Sequence, residues 1–312
     1  MIRILQSLAD LLMPASLFAQ DSIDAAMLMQ DVRALSADDM AGRAANTPGG
    51  ESARAYIERR FTELGLQPHR GPFTYPIDRR TTGRGTNVMA VIRGSERPDK
   101  FIVVSAHYDH VGVDRGRIYN GADDNASGVS ALFAFAALRQ TPPRHSVLLV
   151  AFDAEELGLY GARVFMQQPP VPAASILLNV NMDMVARGDR ELLWAVGPRL
   201  YPALRPAIEA AGASSPIPLR FGRDSLRPDA ESEDDLTLRS DQGAFGLAGV
   251  PFVLFHAGEH DDYHEPTDDA DKIDPRRYAR IVATMLDALR RLDGDGAALD
   301  RARREARPVR AR

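Results

Sequence analysis

Val147-Leu-Leu-Val-Ala-Phe152 runs straight into Asp153-Ala-Glu155-Glu156-Leu-Gly158, and that junction decides the fold. Six apolar residues in a row leave no polar side for water. A strand of this kind belongs in the middle of a sheet covered on both faces. Runs rich in branched residues repeat the theme at Asn87–Ile92, Phe101–Ser105, Ile176–Val180, Leu192–Val196 and Pro251–Phe255. Between them, helical patterns occupy residues 49–64, Ser127–Leu138, Tyr201–Ala211 and Asp241–Leu247. The last helix takes Asp274 as its N-cap and Pro275 in its first turn; Tyr278, Ile281, Val282, Met285, Leu289 and Leu292 form its apolar stripe. Strands alternating with helices predict one α/β domain over residues 20–296. Its central sheet should be mixed but mostly parallel, with helices on both faces.

Composition narrows the function. The chain has 312 residues, 45% of them hydrophobic and 26% charged, an ordinary globular balance. A net charge of -5 argues against a nucleic-acid footprint. Arg301, Arg303, Arg304, Arg307, Arg310 and Arg312 crowd the end, and residues 297–312 read as a disordered, solvated basic tail. Cysteine is absent, which excludes disulfides, thiolate metal sites and a cysteine nucleophile. Any metal must therefore be held by His, Asp and Glu.

Residues 1–19 read as an export signal. Arg3 precedes a mostly apolar run from Ile4 to Phe18, and Ala19 is small, although Asp10 interrupts the run and Leu17 is large for its place. That reading starts the mature protein at Gln20, in a periplasm or outside the cell. No other stretch approaches ~18 uninterrupted apolar residues, so no membrane span is expected. Gly197–Arg239 reads as an excursion over the sheet edge. Its acids Asp229, Glu231, Glu233, Asp234 and Asp235 lack the spacing and central glycine of a calcium loop.

The residues that carry chemistry sit where ligands bind in an open α/β sheet, at the carboxyl ends of strands. His107-Tyr-Asp109-His110 follows Phe101–Ser105. His107 can ligate a metal through one ring nitrogen while the Asp109 carboxylate accepts the other ring proton. Gly121-Ala-Asp123-Asp124-Asn-Ala-Ser127-Gly128 precedes an apolar helix and either aims an aspartate inward or merely caps that helix. Glu155 and Glu156 leave a buried strand, where adjacent acids are costly unless a cation holds them. One can bind metal while its neighbour moves protons. Asp183, between Met182 and Met184, is similarly expensive alone, and Asp261-Asp-Tyr263-His264-Glu-Pro-Thr-Asp268 follows the last strand. Two imidazoles and at least three carboxylates suit zinc. Asp124, Glu156 and Asp183 balance two divalent ions once a bridging hydroxide is added, which favours two ions over one.

These motifs closely resemble the co-catalytic di-zinc aminopeptidases, the bacterial leucyl-type enzymes of peptidase family M28. The likeness extends over roughly residues 33–292. It includes Leu35-Ser-Ala-Asp-Asp-Met-Ala-Gly42-Arg43 and Ser240-Asp241-Gln-Gly-Ala-Phe245 before Gly249-Val-Pro251. The resemblance implies the zinc-exopeptidase fold and two Zn2+ per chain. His107 and Asp183 would bind one ion, Glu156 and His264 the other, and Asp124 would bridge them through a turn with a cis bond to Asn125. It makes Glu155 the general base and Tyr263 a helper in polarising the substrate carbonyl. Asp109 and Asp241 would stand behind the ligands. Gln242 departs from the histidine often found there, which leaves its hydrogen bonds open. The implied activity is an exopeptidase that hydrolyses the amino-terminal bond of peptides, using a zinc-bridged hydroxide and requiring a free amino end.

Three alternatives share the scaffold. A glutaminyl cyclase uses one zinc and releases no residue. A carboxypeptidase needs a fixed cation for the terminal carboxylate; the nearest candidate is Arg187, read here as an exposed loop residue. A binding module that had lost its chemistry would have lost ligands, and here every ligand position is filled.

Overall fold

Alternate residues of Val147–Phe152 face two different cores. Val147, Leu149 and Ala151 join a large cluster under one face of the sheet. Leu148, Val150 and Phe152 join a smaller one on the other. This is the two-sided burial that an unbroken apolar strand demands. The computed structural model of the protein describes residues 23–69, 73–77, 83–188, 191–225 and 234–310. The segment read as an export signal lies outside the described residues, as do Asp229, Glu231 and Glu233.

The strands are β1 Gln67–Pro68, β2 Phe73–Pro76, β3 Arg84–Ile92, β4 Arg97–His107, β5 Gly112–Asp114, β6 Arg117–Tyr119, β7 His145–Phe152, β8 Ile176–Met182, β9 Leu193–Val196, β10 Leu219–Phe221 and β11 Phe252–His256. The helices are α1 Ala25–Leu35, α2 Pro48–Glu63, α3 Gly128–Ala134, α4 Tyr160–Gln167, α5 Arg205–Ser214, α6 Gln242–Leu247, α7 Pro275–Gly294 and α8 Gly296–Glu305. Nine strands make the main sheet in the order β1-β3-β7-β4-β8-β11-β9-β10, with β2 also paired to β3. The centre, β7-β4-β8-β11, is parallel, and β3 and β9 join it antiparallel on either side. Every residue of β7 and β8 is buried. Residues from α1, α2, α3, α5, α7 and α8 build the larger core. On the other face α4 and α6 contribute Phe165 and Phe245, whose rings meet Phe152 at 5.5 and 6.3 Å. The expected single α/β domain with a mixed sheet and helices on both faces is the fold observed.

The basic end departs from expectation. Residues 296–305 are helix, not a loose tail. Arginines occupy its wet face, while Ala298, Leu299 and Ala302 are buried against the sheet's larger core, so the charge run masked an amphipathic helix. Arg303 donates to the carbonyls of Ile176 and Gly249 at 2.9 and 3.0 Å, and the Val309 amide donates to Gly246. The excursion over Gly197–Arg239 includes α5 and adds β10 beside β9 at the sheet edge. The Asp224 carboxylate fastens it by accepting the amides of Gly197 and Arg199. Among the described residues no helix is long and apolar enough to cross a membrane.

Candidate metal centre

The chain leaves β4 for β7 on one side and then crosses to β8 on the other. Loops that depart in opposite directions leave a crevice at the carboxyl ends of β4 and β8. His107 ends β4, Asp183 follows β8, Glu155 and Glu156 follow β7, and His264 follows β11. Asp124 lies in the tight turn Ala122–Ser127 ahead of α3, and its bond to Asn125 is cis.

These residues meet. His107 Nε2 lies 3.3 Å from Asp124 Oδ1 and 3.5 Å from Asp183 Oδ1. His264 Nε2 lies 3.2 Å from Asp124 Oδ2 and 3.1 Å from Glu156 Oε2. Asp124 thus offers one oxygen to each histidine. The donors form two groups that share Asp124: His107, Asp124 and Asp183, and His110, Asp124, Glu156 and His264. Within each group the donor atoms lie inside 4.8 Å of one another. Burial works against charge on His107, but Glu155, Asp183 and the bonds to Asp124 outweigh it and hold the ring well above the usual histidine range. Burial pushes Asp124 up, yet His110, His107 and His264 bring it well below the usual carboxylate range. Buried acids that depend on imidazoles to stay ionised are a set that divalent cations suit, and the nitrogen and oxygen donors fit zinc.

The supports differ in part from the expected ones. His107 Nδ1 is 3.1 Å from the backbone carbonyl of Asp109. A carbonyl only accepts, so Nδ1 carries the proton and Nε2 is left for a metal. The Asp109 carboxylate was expected in that place but is 3.8 Å away. It instead accepts the backbone amides of Glu155 and Glu156 at 3.0 and 3.2 Å, fixing the acid pair rather than the ring. Asp241 is fully buried, and neither of its carboxylate oxygens has a hydrogen-bond partner. Burial raises its pKa to about 7, with His107 opposing and Asp183 adding to the rise. Its carboxylate makes no hydrogen bond to any ligand side chain. Gln242 accepts from Asn181 at 3.0 Å and donates to the Leu236 carbonyl at 2.7 Å, so both ends of its amide are bonded. Tyr263 stacks on His264 with centroids 4.0 Å apart and borders the pocket. Arg187 is not an exposed loop residue: it is largely buried and paired with Asp262 at 2.6 Å and Asp268 at 3.2 Å.

Four residues that the sequence left without a role complete the setting. His110, 1% exposed, lies 2.9 Å from Glu156 Oε1. Asp268 accepts the amides of Asp123 and Asp124 at 2.9 and 3.1 Å. Asp123 accepts those of Ala186 and Arg187. Arg43 is completely buried and donates to the carbonyls of Leu35, Tyr108, Asn120, Gly121 and Asp124. Burial lowers its pKa to about 10, while Asp124, Asp268, Asp109 and Glu156 keep it charged. It ties the loop after His107 to the loop that carries Asp124. His110 stood three residues from His107 in a motif already of interest. No periodicity marks the other three.

The description "Peptidase family M28" belongs to the family model that matches residues 87–289. A probable zinc metalloprotease of Pyrenophora tritici-repentis is 31% identical over 110 residues, which are 34% of this chain and 25% of that protein. The chain thus spans about a quarter of the curated relative it matches. A zinc aminopeptidase from Bacillus subtilis superposes with a TM-score of 0.67 at 16% identity, covering 86% of this chain and 95% of that one. A Porphyromonas gingivalis glutaminyl cyclase gives 0.69 at 18% identity over 86% and 98%. Both likenesses establish the fold.

The Arg43 clamp yields a measurable expectation. Arg43→Met removes a buried cation and leaves its carbonyls unpartnered, so it should destabilise the protein by about 3 kcal/mol or more. Guanidinium unfolding measures this, and a change below about 1 kcal/mol would show that the clamp is dispensable.

Proposed function

The chain belongs to peptidase family M28, and on that premise we propose that it is a two-zinc aminopeptidase, removing single residues from the amino end of peptides. Asp124 carries the reading: its two oxygens face two separate histidine–carboxylate groups, while Glu155 borders the same pocket outside both. His107, Asp124 and Asp183 would hold one ion, and Asp124, Glu156 and His264 the other. Bound there, zinc supplies Lewis acidity, polarising the scissile carbonyl and making water acidic near neutral pH.

Glu155 takes a proton from the attacking water as the C–O bond forms and delivers it to the amide nitrogen as the C–N bond breaks. Burial lifts Glu155 well above the carboxylate range; His107 opposes this, and Asp241, Asp183 and Glu156 add to it. A stronger base results. Its backbone is held by Asp109, so its reach into the pocket is fixed. The Tyr263 hydroxyl at the rim donates toward the developing oxyanion.

The free amino end is read by charge. With Asp124 and Asp183 committed to the metals, Glu155 and Glu259 remain as acceptors in the pocket, against one arginine, Arg239. An ammonium is welcome in such a place, and an acetyl cap brings bulk without charge. A carboxypeptidase would want a spare cation beside the metals; Arg187 is committed to Asp262 and Asp268, and Arg239 in the pocket wall also has a partner. Residues 1–19 supply the export signal of a periplasmic or secreted enzyme.

Glu155→Gln should keep metal content and fold yet lower kcat by at least ~100-fold, whereas Asp183→Ala should lose metal. Near-full activity in Glu155→Gln would show that the base lies elsewhere. Leucine-type amides should be cleaved with a free α-amino group and left intact when acetylated. Efficient cleavage of the acetylated amide, or release from the carboxyl end, would overturn the aminopeptidase reading, as would ammonia release from glutaminyl peptides without a freed residue. Protein recovered from its native host should begin near Gln20, and an intact Met1 found by amino-terminal sequencing would exclude a cleaved export signal.

A further inference from the structure

We propose that the metal centre is asymmetric: His110 is a fourth ligand that closes one metal position, while the other position stays open toward the pocket. The inference rests on the zinc reading of the centre and makes no use of peptide hydrolysis.

The distances carry it. A tetrahedral zinc with arms of about 2.0–2.2 Å separates its donors by about 3.3–3.5 Å. His264 Nε2 stands 3.2 Å from Asp124 Oδ2 and 3.1 Å from Glu156 Oε2. His110 Nδ1 stands 3.6 Å from that same Asp124 oxygen and 2.9 Å from Glu156 Oε1. Four side chains thus surround one point, with donor atoms all within 4.8 Å of one another and separations of 2.9 to 3.6 Å that bracket this spacing. Around the second point stand three, with His107 Nε2 at 3.3 and 3.5 Å from Asp124 Oδ1 and Asp183 Oδ1. Four protein ligands make a closed, tightly held site, and three leave a position for water or substrate.

Two further observations agree. All three side chains of the second point, His107, Asp124 and Asp183, line the pocket; of the first point's four, Asp124 and His264 do, whereas His110 and Glu156 do not. The three-ligand position therefore faces the substrate space. The approach of the His110 ring is also built into the backbone. Gly121 has φ +55, and a Cβ there would lie 2.5 Å from His110 Cδ2, so only glycine admits the ring at this place.

Two kinds of ion follow, one tight and one exchangeable at the catalytic face. The test uses full-length protein stripped with a chelator and titrated with zinc against a chromogenic competitor. Cobalt then serves as a coordination probe. Wild type should bind its first ion at least ~10-fold more tightly than its second, and one equivalent of cobalt should give the intense visible absorption of a four-coordinate ion. His110→Asn keeps a donor beside Glu156 but cannot replace an imidazole ligand. It should weaken the first site by more than ~100-fold and lose the intense band, because outer partners account for only ~10–100-fold. A smaller loss in His110→Asn, or equal affinities in wild type, overturns the proposal. Should His110→Asn fail to fold by circular dichroism, the wild-type affinities and cobalt spectrum decide, with His264→Asn at a more exposed position as the second variant expected to lose the tight site. Absence of peptide cleavage by the fully loaded protein would sink the peptidase reading and leave this one standing.

Discussion

The centre of the sheet is dry on both faces, and the rest of the molecule answers to that constraint. With β7 and β8 buried along their whole length, the few polar groups inside the strands bond to one another, as Ser105, Asn179 and Asn181 do, and charged groups gather at strand ends. The loops at the carboxyl ends of β4, β7, β8 and β11 therefore collect the histidines and acids that the strands exclude. Because the central four strands are parallel, those ends lie side by side, and residues far apart in the chain share one small space. The same dryness makes most carboxylates there depend on a partner, with Asp241 the exception. Imidazoles serve Asp124 and Glu156, backbone amides serve Asp109, Asp123 and Asp268, and Arg43 places a fixed positive charge behind them all.

One device recurs in the loops. Asp109, Asp123, Asp224, Asp268 and Asp293 each accept two backbone amides from a neighbouring segment, and Asp153 accepts one from Thr86 besides that of Ala154. A short carboxylate gripping two N–H groups satisfies donors that would otherwise be stranded, and its charge strengthens both bonds. A chain without cysteine has no covalent staple to offer, and these aspartates supply the rigidity that placing ligands requires. Asp268 holds the Asp123–Asp124 peptide, Asp123 holds the start of the loop after Asp183, and Asp109 holds the two glutamates.

Strands β3, β4, β7, β8, β9 and β11 were legible because burial on two faces writes itself as a largely apolar run, and helix α7 because its stripe and cap coincide. Strands β1, β2, β5, β6 and β10 are two to four residues long and sit at edges or in a separate hairpin, too short for any period to register. Helix α8 was hidden by composition, since six arginines near the end outweighed three small or apolar residues on its inner face. In the centre, His107, Asp124, Glu155, Glu156, Asp183 and His264 stood out because acids and histidines following apolar runs are conspicuous. Arg43 and Asp268 did not, because a residue that grips backbone carbonyls or amides leaves no partner pattern in the sequence. The Asp109 carboxylate was aimed at the wrong group for a related reason: two-residue spacing places a side chain on one side of the strand but does not choose between a ring and the amides opposite.

The Asp268 grip on Asp123 spans 145 positions, and the Arg303 bond to Ile176 spans 127. A polypeptide is made amino end first, so β8 is synthesised long before the helix that anchors it, and Asp124 long before the residue that aligns it. The metal centre accordingly gains the support of Asp268, and its sheet the anchor of Arg303, only late in the making of the chain.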